Sequence, residues 1–212
     1  MRTSKPHRIV QVGKPIVFLL CLTPLAWLTW RLLSGEASAN PIEAIIHGTG
    51  NWALRLLLIT LAITPLRRLT GRVWLVRFRR MLGLFSFFYA SLHLTAYLWL
   101  DQRFRWHEII GDVVQRPYIT VGAAAILLMT PLAITSTRGW IKRLGPRWKT
   151  LHRLIYPIAI LGILHYWWLV KADWREPALY AGILSLMLLA RLPTKRWPWP
   201  RRCTPRAEPS SP

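Results

Sequence analysis

The chain has 212 residues, 53% of them hydrophobic, and sets 29 Lys and Arg against 8 Asp and Glu for a formal net charge of +21. A nucleic-acid binder gathers such charge on one face or helix, whereas here the cations stand in blocks between apolar runs of roughly 15 to 23 residues, the length that about 30 Å of hydrocarbon asks of a helix. That distribution sets aside nucleic-acid binding and a soluble domain, and predicts an all-α integral membrane protein.

In chain order, residues 1 to 15 are a basic N-terminal segment holding His7, and the first apolar run covers 16 to 33. Ala37, Ser38 and Ala39 before Asn40 offer a secretory-signal reading, but the run is longer than the 7 to 15 residues usual for such a signal. Cys21 lies in this run and Cys203 in the polar tail; environments so different argue against a disulfide. Neither belongs to a C-x-x-C or C-x-x-C-H pattern, so zinc, a redox dithiol and covalent haem lack their signature.

The second run, 44 to 66, has His47 at its outer end and Arg55 in its middle. A guanidinium at that depth needs a partner, and a haem propionate, a quinone oxygen, snorkelling to the interface or a group of the bundle itself are the candidates. The third run, 81 to 100, carries His93; the fourth covers 117 to 136, after a polar segment with His107; the fifth, 152 to 170, carries His152, Pro157 and His165; the sixth covers 177 to 192. No alternation of the barrel type appears, so the six runs predict six helices, whose backbone groups bond within each segment. Residues 193 to 212 hold six prolines and predict a disordered basic tail. No internal repeat stands out, and no room remains for a soluble nucleotide-binding domain.

Orientation follows from the basic residues between the runs, which are retained on the cytoplasmic side. Segments 1–15, 67–80, 137–153 and 191–212 together hold 22 Lys and Arg, and the three alternate segments hold six together with seven of the eight acids. Both termini are therefore predicted cytoplasmic, and the domain 16–192 is predicted to be a six-helix transmembrane bundle.

Histidine inside a membrane helix is expensive and marks a functional site by default. His93 lies 13 residues beyond Arg80 and His165 lies 13 beyond His152, so at 1.5 Å per residue both sit roughly 20 Å above the inner edge. Two imidazoles at one level of a bundle supply both axial nitrogens of a haem iron, each ring held by its other nitrogen. A closed iron of that kind suits electron transfer. The competing reading for each is a satisfied polar residue between helices. His152 is a candidate ligand of a second haem, although Arg79 and Arg80 occupy the matching depth of the third helix. Thirteen residues also turn His152 away from the face of His165 on a straight helix, and Pro157 between them predicts a kink that swings the lower face round. His7 and His107 are expected on the solvated surface.

Several segments resemble the MsrQ (YedZ) family, haem-binding membrane subunits of protein-methionine-sulfoxide reductase systems. They are ITPLRR at 63–68, RRMLGLFSFFYASLHLTAY at 79–97, RPYITVG at 116–122, TSTRGWIKRLGPRWKTLHRLIY at 135–156 and HYWW at 165–168. The resemblance implies a ferric-reductase-like bundle in a bacterial inner membrane, b-type haem at His93, His165 and His152, and an associated FMN. It further implies electrons drawn from the quinone pool or a cytosolic flavin reductase and passed to MsrP, a periplasmic molybdopterin enzyme that repairs oxidised methionine. A stand-alone ferric reductase, and a transporter using intramembrane His and Arg without haem, are the rival readings.

Overall fold

The computed structural model describes residues 5–35, 40–170 and 173–191, and all regular structure among them is helical. Helices α1 (Lys5–Leu33), α2 (Pro41–Thr70) and α3 (Val76–Ala96) come first. Next are α4 (Trp106–Gln115), α5 (Pro117–Ile134), α6 (Arg138–Leu144) and α7 (Pro146–Leu151), then α8 (Ile155–Leu169) and α9 (Arg175–Leu189). The expected tail at 193–212, with Cys203, lies outside the described residues, as do Ala37, Ser38 and Ala39.

Four helical stretches are long and apolar enough to cross a membrane: Arg8–Leu33, Pro41–Thr70, Val73–Asp101 and Pro117–Ile134. The chain is a membrane protein. α8 and α9 have 15 residues each, short of a full hydrocarbon crossing at 1.5 Å per residue. The helices also outrun the apolar runs: α1 begins at Lys5 and α2 continues to Thr70. Backbone bonding does not stop where the side chains turn polar; it stops where a cap is available. Asn40 accepts the Glu43 N–H ahead of Pro41, and Gly71, in the left-handed region at φ 67°, closes α2 onto the Arg67 carbonyl. Both are ordinary devices of helix ends.

Two apolar clusters hold the bundle. One joins α1, α2 and α3 through Cys21, Leu56, Ile63, Phe78, Leu82, Phe85 and Tyr89. The other joins α2, α5, α8 and α9 around Leu54, Leu61, Met129, Ile158, Ala159 and Leu184. α2 lies in both clusters and is the central element. α1 is peripheral, with Ile16, Leu19, Leu20, Trp27 and Trp30 exposed, the surface expected of a helix facing lipid.

The winding changes at two places that bear on the site. α3 passes directly into a π-helical turn, Tyr97–Asp101, and the chain then turns through Arg103 and Phe104, both at positive φ (47° and 55°). In the second, a 3-10 turn at His152–Leu154 joins α7 to α8. The sequence predicts a kink at Pro157; instead the break precedes the proline, which falls in the first turn of α8, where its missing N–H costs nothing.

Candidate functional site

His93 lies near the C-terminal end of α3 and His165 near that of α8. Their ring centroids are 6.0 Å apart and the ring planes are at 79°. The Nδ1 of His93 is 2.9 Å from the Ile46 carbonyl, at the start of α2, and the Nδ1 of His165 is 2.6 Å from the Tyr118 carbonyl, at the start of α5. A carbonyl only accepts, so each Nδ1 carries the proton and donates it, and each Nε2 is left with its lone pair. Two α-helical hairpins, α2 with α3 and α5 with α8, thus bring two matched imidazoles to one end of the bundle.

His152 is not part of this pair. It stands about 20 Å away along the helix axis, stacked on Trp148 (3.9 Å between centroids) with its Nδ1 3.1 Å from the Trp148 carbonyl. Its Nε2 is buried and makes no well-formed hydrogen bond, with the Leu132 carbonyl of α5 beside the ring. No histidine faces it from α3; its electrostatic neighbour there is Arg79. His47 is at the surface, 3.8 Å from Glu43, and His107 is exposed. Among the described residues no group of three or more His, Cys, Asp or Glu forms a metal site.

Comparison with known proteins bears on this arrangement. The family described as ferric reductase like transmembrane component matches residues 48–163. The protein-methionine-sulfoxide reductase heme-binding subunit MsrQ of Xanthomonas campestris pv. campestris (strain B100) is 56% identical over 217 residues, covering 96% of this chain and all of that protein. The subunit of the same name from Rhodospirillum rubrum is 54% identical over 183 residues, 86% of this chain and 88% of that one. The chain belongs to the MsrQ family. No solved structure matches it.

In this MsrQ-family chain Arg55 finds its partner inside the bundle. Its Nε donates to the Tyr180 hydroxyl at 2.9 Å, and its guanidinium lies over the Trp52 ring at 5.3 Å. The Tyr180 contact ties α2 to α9 and gives a half-buried cation its partner. At the histidine end, Asp112 of α4 gathers three neighbours that the sequence reading missed. Tyr97 donates to its Oδ2 at 3.0 Å, Gln102 to the same oxygen at 3.2 Å, and the Arg116 Nε lies 3.1 Å from Oδ1. Arg116 directly precedes α5, so this network fixes the strand of chain that presents the Tyr118 carbonyl to His165. The one signal available beforehand was the gathering of acids on that side.

Proposed function

We propose that this chain is a membrane b-type cytochrome in which His93 and His165 are the axial ligands of one haem. The observation that carries the reading is the ring pair. A separation of 6.0 Å fits two histidine–metal bonds of about 2 Å each, plus half of each ring. Both rings also offer Nε2 while a main-chain carbonyl holds Nδ1, as metal-ligating histidines are held. The relatives named heme-binding subunit MsrQ support the same group. Held there by His93 and His165, haem would supply a one-electron iron couple suited to electron transfer. His93 and His165 fix the level of that couple in the bundle.

On this reading the chain takes electrons from the quinone pool or a reduced flavin and passes them to the periplasmic reductase MsrP, in support of methionine-sulfoxide repair. α8 and α9 complete a six-helix ferric-reductase-like bundle in the bacterial inner membrane, with both termini cytoplasmic. His152, whose Nε2 makes no well-formed hydrogen bond but has the Leu132 carbonyl nearby, is the candidate ligand of a second haem, and FMN is a further candidate cofactor. Because Tyr180 and Trp52 hold the Arg55 side chain, a propionate or quinone role for Arg55 ranks below a structural one. A stand-alone ferric reductase would differ by reducing external iron chelates with no partner protein.

The test is purification in detergent followed by haem quantification and redox titration. Wild-type protein is expected to show a b-type spectrum on dithionite reduction. His93→Ala and His165→Ala are each expected to lose the bis-histidine haem, and His152→Ala to lose part of the total or to change one midpoint. Full haem content in both of the first two variants would refute the pairing.

A further inference from the structure

The two histidines are held by the same local device, built twice. In each hairpin an imidazole Nδ1 meets a carbonyl 47 residues earlier in the chain, Ile46 for His93 and Tyr118 for His165. In each, the residue one helical turn beyond that carbonyl is a glycine, Gly50 and Gly122. A Cβ at Gly50 would lie 3.0 Å from the His93 Nδ1 and 3.2 Å from its Cε1; one at Gly122 would lie 2.7 Å and 2.9 Å from the same atoms of His165.

The helix geometry explains why glycine stands there. The carbonyl of residue i points along the axis toward residue i+4 and already accepts that residue's N–H, and its second lone pair is reached from the side. Any side chain at i+4 covers that approach, whereas a glycine leaves a notch into which the imidazole edge fits. Neither glycine has a positive φ, so backbone freedom does not account for it; close approach does. Helix-interior glycine is otherwise less favourable than alanine, and the notch offsets that disadvantage.

We infer that Gly50 and Gly122 are positioning residues for the two haem ligands, setting the orientation of each imidazole and the strength of its bond to the carbonyl behind it. This rests on the proposed haem ligation by His93 and His165. The second interaction behind a ligating histidine tunes the metal's affinity and electronic state, typically by 10–100-fold in affinity when it is lost. The tighter contact at Gly122 makes the order of effect definite: Gly122→Ala is the more severe variant and Gly50→Ala the milder.

The controls are in the same bundle. A Cβ at Gly83 of α3 meets Thr60 at 3.7 Å and one at Gly162 of α8 meets Leu54 at 3.6 Å, ordinary van der Waals contacts. Gly83→Ala and Gly162→Ala therefore change helix propensity without touching either ring. The experiment titrates haemin into apoprotein of wild type and the four variants, and records the low-spin ferric electron paramagnetic resonance spectrum and the midpoint potential of each reconstituted protein. Helix content and membrane yield are measured in parallel.

The expected result is about tenfold or greater loss of haem affinity for Gly122→Ala, a smaller loss for Gly50→Ala, shifted resonance and midpoint in both, and wild-type behaviour in both controls. Should Gly122→Ala fail to fold, Gly50→Ala carries the test. Wild-type affinity, resonance and midpoint in the folded glycine variants would overturn the inference. So would equal changes in the controls, which would reduce the effect to helix propensity. If His93→Ala and His165→Ala retain full haem, the ligand assignment itself fails; if they lose it while the glycine variants behave as wild type, only the positioning role fails.

Discussion

At Tyr89 one hydroxyl stands inside the hydrogen-bond ladder of a neighbouring helix. It donates to the Cys21 carbonyl at 2.8 Å and accepts the Leu25 N–H at 3.2 Å, the two groups that an α-helix joins directly. The insertion falls beside Pro24 of α1, where the ladder is already weakened by the missing N–H. Tyr89 is 1% exposed, so its side chain docks α1 on α3. Tyr89→Phe is expected to cost about 1 kcal/mol, the scale of an interhelical hydrogen bond in a membrane bundle. A lower thermal midpoint with unchanged haem content is the outcome; an unchanged midpoint would show that α1 closes its own ladder without help. The same scale shows what a sequence conceals. The convergence of His93 and His165 follows from counting residues along two helices, but their carbonyl partners leave no side-chain signature, and Tyr180 meets Arg55 across 125 residues.

Among the elements, α4 was invisible to a search for apolar runs, because its ten residues mix Trp, Ile and Val with His, Glu and Asp. Its pattern is nonetheless regular. Ile109 is buried, Trp106, Ile110 and Val114 form an exposed apolar stripe at helical spacing, and His107, Glu108 and Gln115 face outward beside it. The helix joins the end of one stretch long and apolar enough to cross a membrane to the start of the next, which supports a place at the lipid–water boundary, the stripe toward acyl chains and the polar flank toward water. In reconstituted protein that retains Trp106 as its one interfacial tryptophan, brominated lipid is expected to quench its fluorescence strongly, and a water-soluble quencher weakly. The reverse order would place the stripe in water, against a protein partner. Where apolar length carried the signal, as in α2, α3 and α5, the elements were legible; where a cap, a 3-10 turn or a π turn set the ends, they were not, since those depend on single backbone groups.

For the whole molecule, all described carboxylates lie at the histidine end or in the segments joined to it, and the opposite end carries Arg67, Arg68, Arg79, Arg191 and the basic α6–α7 region. By the positive-inside rule this asymmetry supports the proposed orientation, with the histidine pair toward the outer face. A periplasm-active phosphatase fused within residues 101–116 is expected to be active, and one fused within 137–153 inactive. Swapped activities would invert the bundle and remove the basis for the proposed outward electron flow.

One consequence concerns how the two hairpins are kept together. His93 belongs to the α2–α3 hairpin and His165 to the α5–α8 hairpin, so a group gripped by both rings would act as a clasp across halves otherwise joined by apolar contact, by Arg191 between the Leu61 carbonyl and the Tyr156 hydroxyl, and by the Asp112 network. Apoprotein should therefore breathe along that seam and admit proteases there, and each increment of bound porphyrin should slow the cutting in proportion to its occupancy.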